Sequence, residues 1–299
     1  MTEPDIPPTR EHARSEAEIM ELILSFARDD ERIRLVGMEG SRLDPDAPRD
    51  AFQDYDVSYL VTEMESFTRD DGWLARYGNR IMMQKPEAMS LFPLDLGGWF
   101  SSLMLFEVGN RIDLKLIPMA DLNAYLASEP RLSILLDKDR RLDPPAAPSG
   151  PNFLFNRPSI EFYDDCCNEF WWVTTYVAKG LARNELLYAA DHLNRYVRPS
   201  LMRMLTWEAL FLLGLGAIAP GKSYKYLPRY LADGDMEHLM RTFNNGSSAK
   251  IWESLSICCD LFRKASKEVG EASGFSYPPY DGKVTPYMED IRNRYTAAR

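Results

Sequence analysis

Residues 38–57 read MEGSRLDPDAPRDAFQDYDV, and the two ends of this stretch decide the fold. A Gly-Ser pair at 40–41 follows an apolar run, which predicts a strand that ends in a tight turn. Asp54 and Asp56 then open a second run of strand-forming residues. Because residues two apart on a strand point to the same face, the two carboxylates would lie side by side.

This pattern is typical of metal-dependent nucleotidyl transfer. Mg²⁺ prefers oxygen ligands, and it usually takes one or two carboxylates and fills its shell with water and substrate phosphates. A Gly-Ser turn offers backbone N–H groups and a hydroxyl to the same phosphates, and the arginine that follows can pair with phosphate oxygens. We predict Asp54 and Asp56 as metal ligands, and Gly40, Ser41 and Arg42 as nucleotide-binding residues.

A third carboxylate is expected on a neighbouring strand. Residues 103–108 and 111–117 are strand-like runs separated by a Gly-Asn pair, which indicates a hairpin. On the second run the apolar residues share one face, and Asp113 lies on the other face with Lys115. Three carboxylates on one sheet face would hold one or two Mg²⁺ ions that neutralise a triphosphate. The alternative is that the aspartates are merely solvated, although Asp is a poor strand former.

The composition is that of a soluble globular protein. The chain has 299 residues, enough for two ordinary domains, with 45% hydrophobic and 27% charged residues. The net charge of −10 argues against a general nucleic-acid binder, which needs a basic surface. It favours a cationic partner, although acidity for solubility alone would give the same value.

Neither a membrane span nor a secretion signal is predicted. The longest apolar run, residues 209–219, is too short to cross a bilayer and contains two glycines. The N-terminus lacks the basic-then-apolar order of a signal peptide. The cysteines form two adjacent pairs, 166–167 and 258–259, without zinc-site spacing. We therefore predict reduced structural thiols and a cytoplasmic protein.

The pattern of elements predicts an α+β fold with two domains. Strand signals dominate the first half, after an amphipathic helix over residues 15–29 that begins with a capping box. Residues 143–158, DPPAAPSGPNFLFNRP, predict a linker because Pro and Gly are dense there. We expect a nucleotidyltransferase catalytic domain over residues 1–148 and a helical, substrate-binding domain over residues 149–299.

Four apolar-periodic segments predict helices beyond the linker. They are residues 159–180, 184–213, 226–243 and 249–269. Pro199 interrupts the second segment, so either a kink or a new helix start is expected there.

Two carboxylates of the helical half are candidates for a general base. Transfer to a hydroxyl benefits from a carboxylate that takes the proton of the attacking group. Asp191 falls within a predicted helix, where Asp is unfavourable unless it is exposed or used. We predict Asp191 as the base, with Glu185, near the start of the same helix, as the second choice.

An acidic and aromatic segment of the helical half is a candidate for substrate binding. Glu169 precedes a tryptophan pair, and carboxylates beside aromatic rings can receive a cationic, ring-shaped substrate. Asp164 and Asp165 are better explained as acids in the first turn of a helix. We predict Glu169, Trp172 and Glu185 as substrate-binding residues.

A polar loop, GKSYK at 221–225, is a candidate for nucleotide binding. It is not a P-loop, because the leading glycine and the following hydrophobic context differ from that motif. Lys222, Tyr224 and Lys225 could still reach a triphosphate or a base, and a solvated loop is the alternative.

In segments spread over nearly its whole length, the chain resembles the aminoglycoside 6-adenylyltransferases, the streptomycin-modifying enzymes. The segments are DERIR (30–34), MEGSR (38–42), FQDYD (52–56), GNRIDL (109–114), LLDKD (135–139), CNEFWW (167–172), AKGL (178–181), VRP (197–199), GKxxKY (221–226) and IWES (251–254). The resemblance implies a small mixed sheet flanked by helices and followed by a helical bundle. It also implies ATP and Mg²⁺ as co-reactants, and transfer of AMP to the 6-hydroxyl of streptomycin.

The resemblance also assigns site residues. It implies that the pair at 40–41 is the nucleotide turn and that Asp54 and Asp56 are the metal ligands. Asp113 matches the third acidic position, which binds metal or assists deprotonation. Asp191 lies where the catalytic carboxylate of the family is expected.

Three interpretations of the function remain open at this point. The first is adenylyl transfer to streptomycin, giving aminoglycoside resistance, and the acidic charge suits the guanidinium groups of that acceptor. The second is transfer to another small hydroxyl compound or to a protein side chain. The third is a non-catalytic nucleotide-binding module, against which the three aspartates argue. We expect ATP and a cationic aminoglycoside as partners, no nucleic acid or membrane, and a monomer.

Overall fold

A mixed β-sheet organises the first of two structural units. In the computed structural model, which describes residues 14–142 and 153–296, the chain divides into Met1–Asn152 and Phe153–Arg299. The boundary expected at 148/149 lies outside the described residues.

Six strands and three short or medium helices make up the described part of the first unit. The strands are β1 (Ile33–Glu39), β2 (Tyr55–Val61), β3 (Arg80–Gln84), β4 (Phe100–Phe106), β5 (Arg111–Pro118) and β6 (Ser133–Asp137). The helices are α1 (Glu16–Asp29), α2 (Glu65–Thr68) and α3 (Leu122–Ser128). The strand order is β3-β4-β5-β2-β1-β6; β2 and β5 run parallel, and the other four neighbouring pairs run antiparallel. The predicted hairpin is confirmed as β4–β5, and the edge strand β6 was not predicted.

Helix α1 confirms the capping-box prediction and covers one face of the sheet. The Ser15 hydroxyl accepts from the Glu18 backbone N–H, and the Glu18 carboxylate accepts from the Ser15 N–H in return. The helix buries Ile19, Ile23 and Phe26 in a cluster with the apolar side chains of β2. The opposite face packs a second, smaller cluster that includes α3. Both faces of β2 are therefore covered, and the strand is buried almost throughout.

Six helices and a two-stranded ribbon form the described part of the second unit. The helices are α4 (Ile160–Ala182), α5 (Leu186–His192), α6 (Arg198–Leu212), α7 (Asp235–Arg241), α8 (Ser248–Ser273) and α9 (Asp281–Thr296). The ribbon pairs β7 (Phe155–Asn156) with β8 (Ala217–Ile218). The α+β class predicted from the sequence is confirmed. Among residues 14–142 and 153–296, no helix is long and apolar enough to cross a membrane.

Several helix and linker predictions differ from the structure. The segment expected to be helical over 184–213 is α5 and α6, joined by a π-helical turn at Leu193–Val197 that was not predicted. Of the two alternatives expected at Pro199, the new helix start is confirmed, since Pro199 lies in the first turn of α6. The helix expected over 226–243 is wrong in length, because Gly234 adopts a left-handed conformation and only α7 follows it. Helix α9 was missed because its sequence is polar and contains Pro286. The predicted linker includes strand β7, and its residues 143–152 are outside the described part.

The cysteines are buried thiols of the helical core, as predicted. All four are free and buried. Burial raises the pKa of the Cys258 thiol to about 12, so the unreactive thiol form prevails at neutral pH. The same core contains a stacked pair of rings, Phe170 and Phe262, with centroids 3.7 Å apart.

A buried carboxylate of the second unit has a raised pKa. Glu208 of α6 lies 3.5 Å from the ammonium group of Lys264, which also pairs with Asp235 at 2.9 Å. Burial raises the pKa of Glu208 from 4.5 to about 7, and Lys264 offsets only part of this effect. A carboxyl with a raised folded-state pKa contributes stability that is lost as the pH rises from 4.5 through 7.

The variant Glu208→Gln should be more stable than the wild type at alkaline pH. The amide does not ionise, so we expect its free energy of unfolding at pH 8 to exceed that of the wild type by about 1–3 kcal/mol. Near pH 4.5 the difference should almost vanish. Chemical denaturation at several pH values measures this, with the exposed Glu271→Gln as the matched control. A difference that does not change with pH would contradict the prediction.

Candidate active site

The turn after β1 packs directly against a carboxylate of β2. The chain turns at once after β1 in a 3₁₀ turn, Gly40–Leu43, and Gly40 has a φ of +77°. A Cβ atom at this position would lie 1.9 Å from Oδ2 of Asp56. Only glycine fits both the backbone conformation and the contact. The structure therefore places the turn predicted for phosphate beside a predicted metal ligand.

The predicted carboxylates are brought together by strand register. Asp56 lies opposite Asp113 in the parallel pair β2–β5, and Glu39 lies opposite Asp56 in the antiparallel pair β1–β2. Three carboxylates thus form a row across three neighbouring strands, and Asp54 stands one residue before β2 begins.

Burial and mutual repulsion raise the pKa values of two of these carboxylates, Asp56 and Asp54. Burial raises the pKa of Asp56 to about 6, and the charges of Asp113, Glu39 and Asp54 act in the same direction. Burial also raises the pKa of Asp54, while the neighbouring Arg111 opposes the effect. A cation bound among half-buried, mutually repelling carboxylates would offset their repulsion, so this group of side chains favours cation binding.

Arg111 is the cation that the structure places there. Its guanidinium donates two hydrogen bonds of 2.8 Å to the carboxylate of Asp113, and its Nε lies 3.7 Å from Oδ2 of Asp54. Within residues 14–142 and 153–296, no three His, Cys, Asp or Glu side chains are arranged to hold a metal ion. The hard oxygen donors and their crowded charge nevertheless fit a divalent cation in chemistry.

Arg42, predicted on phosphate, has partners inside the protein. Its guanidinium stacks on the Tyr55 ring at 3.5 Å and donates to the backbone carbonyls of Asp54 (3.0 Å) and Gln53 (3.1 Å). It also pairs with Glu16 of α1 at 3.0 Å. Arg42 would have to exchange these contacts to reach a phosphate, and in the structure it holds the loop before β2 against the sheet.

The two base candidates of the helical unit lie on its surface. Asp191, near the end of α5, is exposed and pairs with Arg195 one turn further on, at 2.7 Å. Glu185 is exposed and immediately precedes α5. An exposed pair at this spacing adds little to stability.

An exposed aromatic surface contains one of the predicted substrate-binding residues. Trp172 of α4 is 58% exposed, and its indole N–H donates to the Tyr176 hydroxyl at 2.9 Å. The Tyr176 ring contacts His192 of α5 with centroids 5.6 Å apart, and Glu169 is exposed one turn before Trp172. Tyr176 and His192 were not predicted. The spacing of four residues between 172 and 176 could have predicted this contact, because such residues are neighbours on a helix surface.

The loop at 221–225 has an unusual backbone. Ser223 and Tyr224 are consecutive non-glycine residues with φ of 54° and 62°. Such conformations cost free energy and cluster at functional sites. The Tyr224 ring packs on Phe155 at 5.9 Å, and the predicted nucleotide-binding residues Lys222 and Lys225 are exposed.

A mixed sheet that carries Asp-x-Asp beside a Gly-Ser turn, with a third carboxylate on the adjacent parallel strand, defines a nucleotidyltransferase. The chain belongs to the streptomycin adenylyltransferase family, whose sequence model matches residues 13–291. It is thus an enzyme of the adenylyltransferase type.

Individual relatives are similar over almost their full length. The aminoglycoside 6-adenylyltransferase of Bacillus subtilis (strain 168) is 50% identical over 279 residues, covering 93% of this chain and 98% of that protein. The aminoglycoside 6-adenylyltransferase of Campylobacter jejuni is 43% identical over 285 residues, covering 94% and 97%. The crystal structure of an aminoglycoside 6-adenyltransferase from Bacillus subtilis is 47% identical, covering 93% and 98%, with a TM-score of 0.47.

The variant Gly40→Ala should lose activity through a local clash. The added methyl group would meet the Asp56 carboxylate and displace it, so we expect nucleotidyl transfer to fall at least about a hundredfold. Pyrophosphate release measures this. Gly109→Ala is the matched control, because Gly109 also has a positive φ (+85°) but open space around it. Equal losses in both variants would contradict the role of the contact with Asp56.

Proposed function

We propose that this protein transfers AMP from ATP to the 6-hydroxyl of streptomycin in a Mg²⁺-dependent reaction that gives aminoglycoside resistance. The observation that carries the proposal is the row of Asp56 and Asp113 beside the Gly40–Ser41 turn. The family and the names of the relatives support streptomycin, or another aminoglycoside, as the acceptor.

In this proposal the aspartates and the turn hold the nucleotide. Asp54, Asp56 and Asp113 would hold Mg²⁺ once Arg111 moves aside, and the ion would supply charge neutralisation for the triphosphate. The Ser41 hydroxyl and the N–H groups of the turn bind phosphate oxygens. Arg111 balances the carboxylates without metal. We assign Arg42 to support of the turn, since its guanidinium is engaged by backbone carbonyls.

For the proton of the acceptor we propose Asp113 ahead of Asp191. The hydroxyl oxygen attacks the α-phosphorus, its proton passes to a carboxylate, and pyrophosphate leaves. Asp113 stands in register beside Asp56, where the reacting phosphate would be bound. Both candidates are paired with an arginine, Asp113 with Arg111 and Asp191 with Arg195, so the choice rests on the register of Asp113 with Asp56.

The helical unit supplies acceptor recognition in this proposal. Glu169 and Glu185 offer carboxylates to cationic groups, and the exposed Trp172 ring offers an aromatic face to them. Lys222, Tyr224 and Lys225 are assigned to the nucleotide. We further propose a catalytic role for residues 1–148, a substrate-binding role for residues 149–299, a cytoplasmic location and a monomer.

Incubation of the protein with ATP, Mg²⁺ and streptomycin should yield streptomycin that carries one added AMP, detected by mass spectrometry. Asp56→Asn should reduce this product about a thousandfold or more, because a ligand to the metal is lost, while its melting temperature stays near that of the wild type. The surface variant Asp233→Asn is the control. If streptomycin stays unmodified while another hydroxyl compound is adenylylated, the acceptor assignment is wrong. Full activity in Asp56→Asn would overturn the metal assignment.

The identity of the base is tested by two asparagine variants. If Asp113 takes the proton, Asp113→Asn should lower the rate of transfer by roughly 10²–10⁴. Asp191→Asn should lower it only about threefold or less, as expected for an exposed, ion-paired carboxylate. Transfer measured at saturating ATP and rising Mg²⁺ separates a lost base from weakened metal binding, because excess Mg²⁺ restores only the latter. A larger loss in Asp191→Asn would move the base to the helical unit.

A further inference from the structure

A buried carboxylate lies immediately before the Gly40–Ser41 turn. Glu39, the last residue of β1, is 3% exposed. Its Oε1 accepts hydrogen bonds from the Ser58 hydroxyl at 2.6 Å and from the Tyr125 hydroxyl at 2.5 Å. Its Oε2 lies 3.2 Å from the ammonium group of Lys115. One side chain thus joins β1 to β2, β5 and α3.

These hydrogen-bonded and ion-paired residues lie on the same three strands as the candidate active site. Glu39 is in register with Asp56, and one step further along the sheet Ser58 is in register with Lys115. Residues two apart on a strand share a face, so Asp56 and Ser58 point the same way, as do Asp113 and Lys115. Ser58 and Lys115 therefore lie on the same sheet face as Asp56 and Asp113, next to the row of carboxylates to which Glu39 belongs.

The fold makes room for this network. A Cβ atom at Gly37 would lie 1.8 Å from the Tyr125 hydroxyl oxygen, so a glycine in β1 allows that hydroxyl to approach. Glycine weakens a strand interior, and it often marks a close approach of this kind.

A buried ion pair between Glu39 and Lys115 is not expected to add much to the free energy of unfolding. Desolvation of a buried carboxylate can exceed the attraction it gains, and apolar residues of similar volume often stabilise a core equally well. Glu39 nevertheless has two hydroxyl donors and an ammonium group around it. Two hydrogen bonds hold Oε1, while Oε2 is buried with Lys115 within ion-pair distance and no hydrogen bond. These contacts hold the side chain in one orientation, together with the backbone that carries it.

We propose that Glu39 and Lys115 are positioning residues for nucleotide binding. The pair fixes the end of β1, and hence the Gly40–Ser41 turn, relative to Asp56 and Asp113 on the adjacent strands. This rests on the proposed function in one respect, that the ATP phosphates bind at the turn. The pair acts on the affinity for ATP and not on the recognition of the acceptor.

Calorimetric titration of the full-length protein with ATP and Mg²⁺, without acceptor, tests the proposal. Glu39→Gln keeps an oxygen that accepts from Ser58 and Tyr125 but removes the charge, and Lys115→Met keeps the aliphatic stem. Each single variant should weaken ATP binding about tenfold or more, because the ion pair that holds the end of β1 is lost. The double variant Glu39→Gln/Lys115→Met should bind ATP no more weakly than the weaker single variant, since both single changes remove the same ion pair.

Lys138→Met is the matched control. Lys138 is also a largely buried lysine of this unit, and it lies 3.7 Å from Glu31, away from the carboxylate row. Its ATP affinity should equal that of the wild type.

Turnover provides a second readout. In the single variants the KM for ATP should rise, while the KM for streptomycin should stay within about twofold. A mere loss of folded protein would instead lower kcat and leave both KM values unchanged. Unchanged ATP affinity in both single variants, or losses that add up in the double variant, would overturn the inference. A wild type that binds no ATP would instead overturn the proposed function, and the inference with it.

Discussion

The parallel pairing of β2 with β5 is the constraint on which the rest of the site depends. It places Asp56 beside Asp113, and it requires the chain to cross over through β3 and β4 before it returns. The antiparallel pairing of β1 with β2 then brings the Gly40 turn to the same point. A shift of one residue in either pairing would turn the carboxylates to the opposite face of the sheet.

Concentrating carboxylates in this way creates an electrostatic cost that the structure meets with two cations. Arg111 pairs with Asp113 at the open side of the row, and Lys115 pairs with Glu39 at the buried side. The raised pKa of Asp56 shows that the compensation is incomplete, since burial and three neighbouring charges outweigh the single ammonium group. A site in this condition gains from binding a further cation.

The helical unit shows how adjacent residues take different roles. Trp171 is buried, stands edge-on to Phe170 and donates its indole N–H to the Tyr277 hydroxyl. Trp172 points about 100° away around the helix and remains exposed beside Tyr176. The first tryptophan stabilises the bundle, and the second stays exposed to solvent.

The sequence by itself determined the features that depend on near neighbours. These are the capped helix α1, the tight turn at Gly40, the β4–β5 hairpin and the apolar setting of the cysteines, and each follows from short spacings or local backbone preferences. Only the tertiary structure decided which groups meet across long separations. Glu39 and Tyr125 are 86 residues apart in the chain, and Arg42 meets Glu16 over a separation of 26 residues. Such contacts depend on strand register and on packing of the sheet faces, which no local pattern specifies.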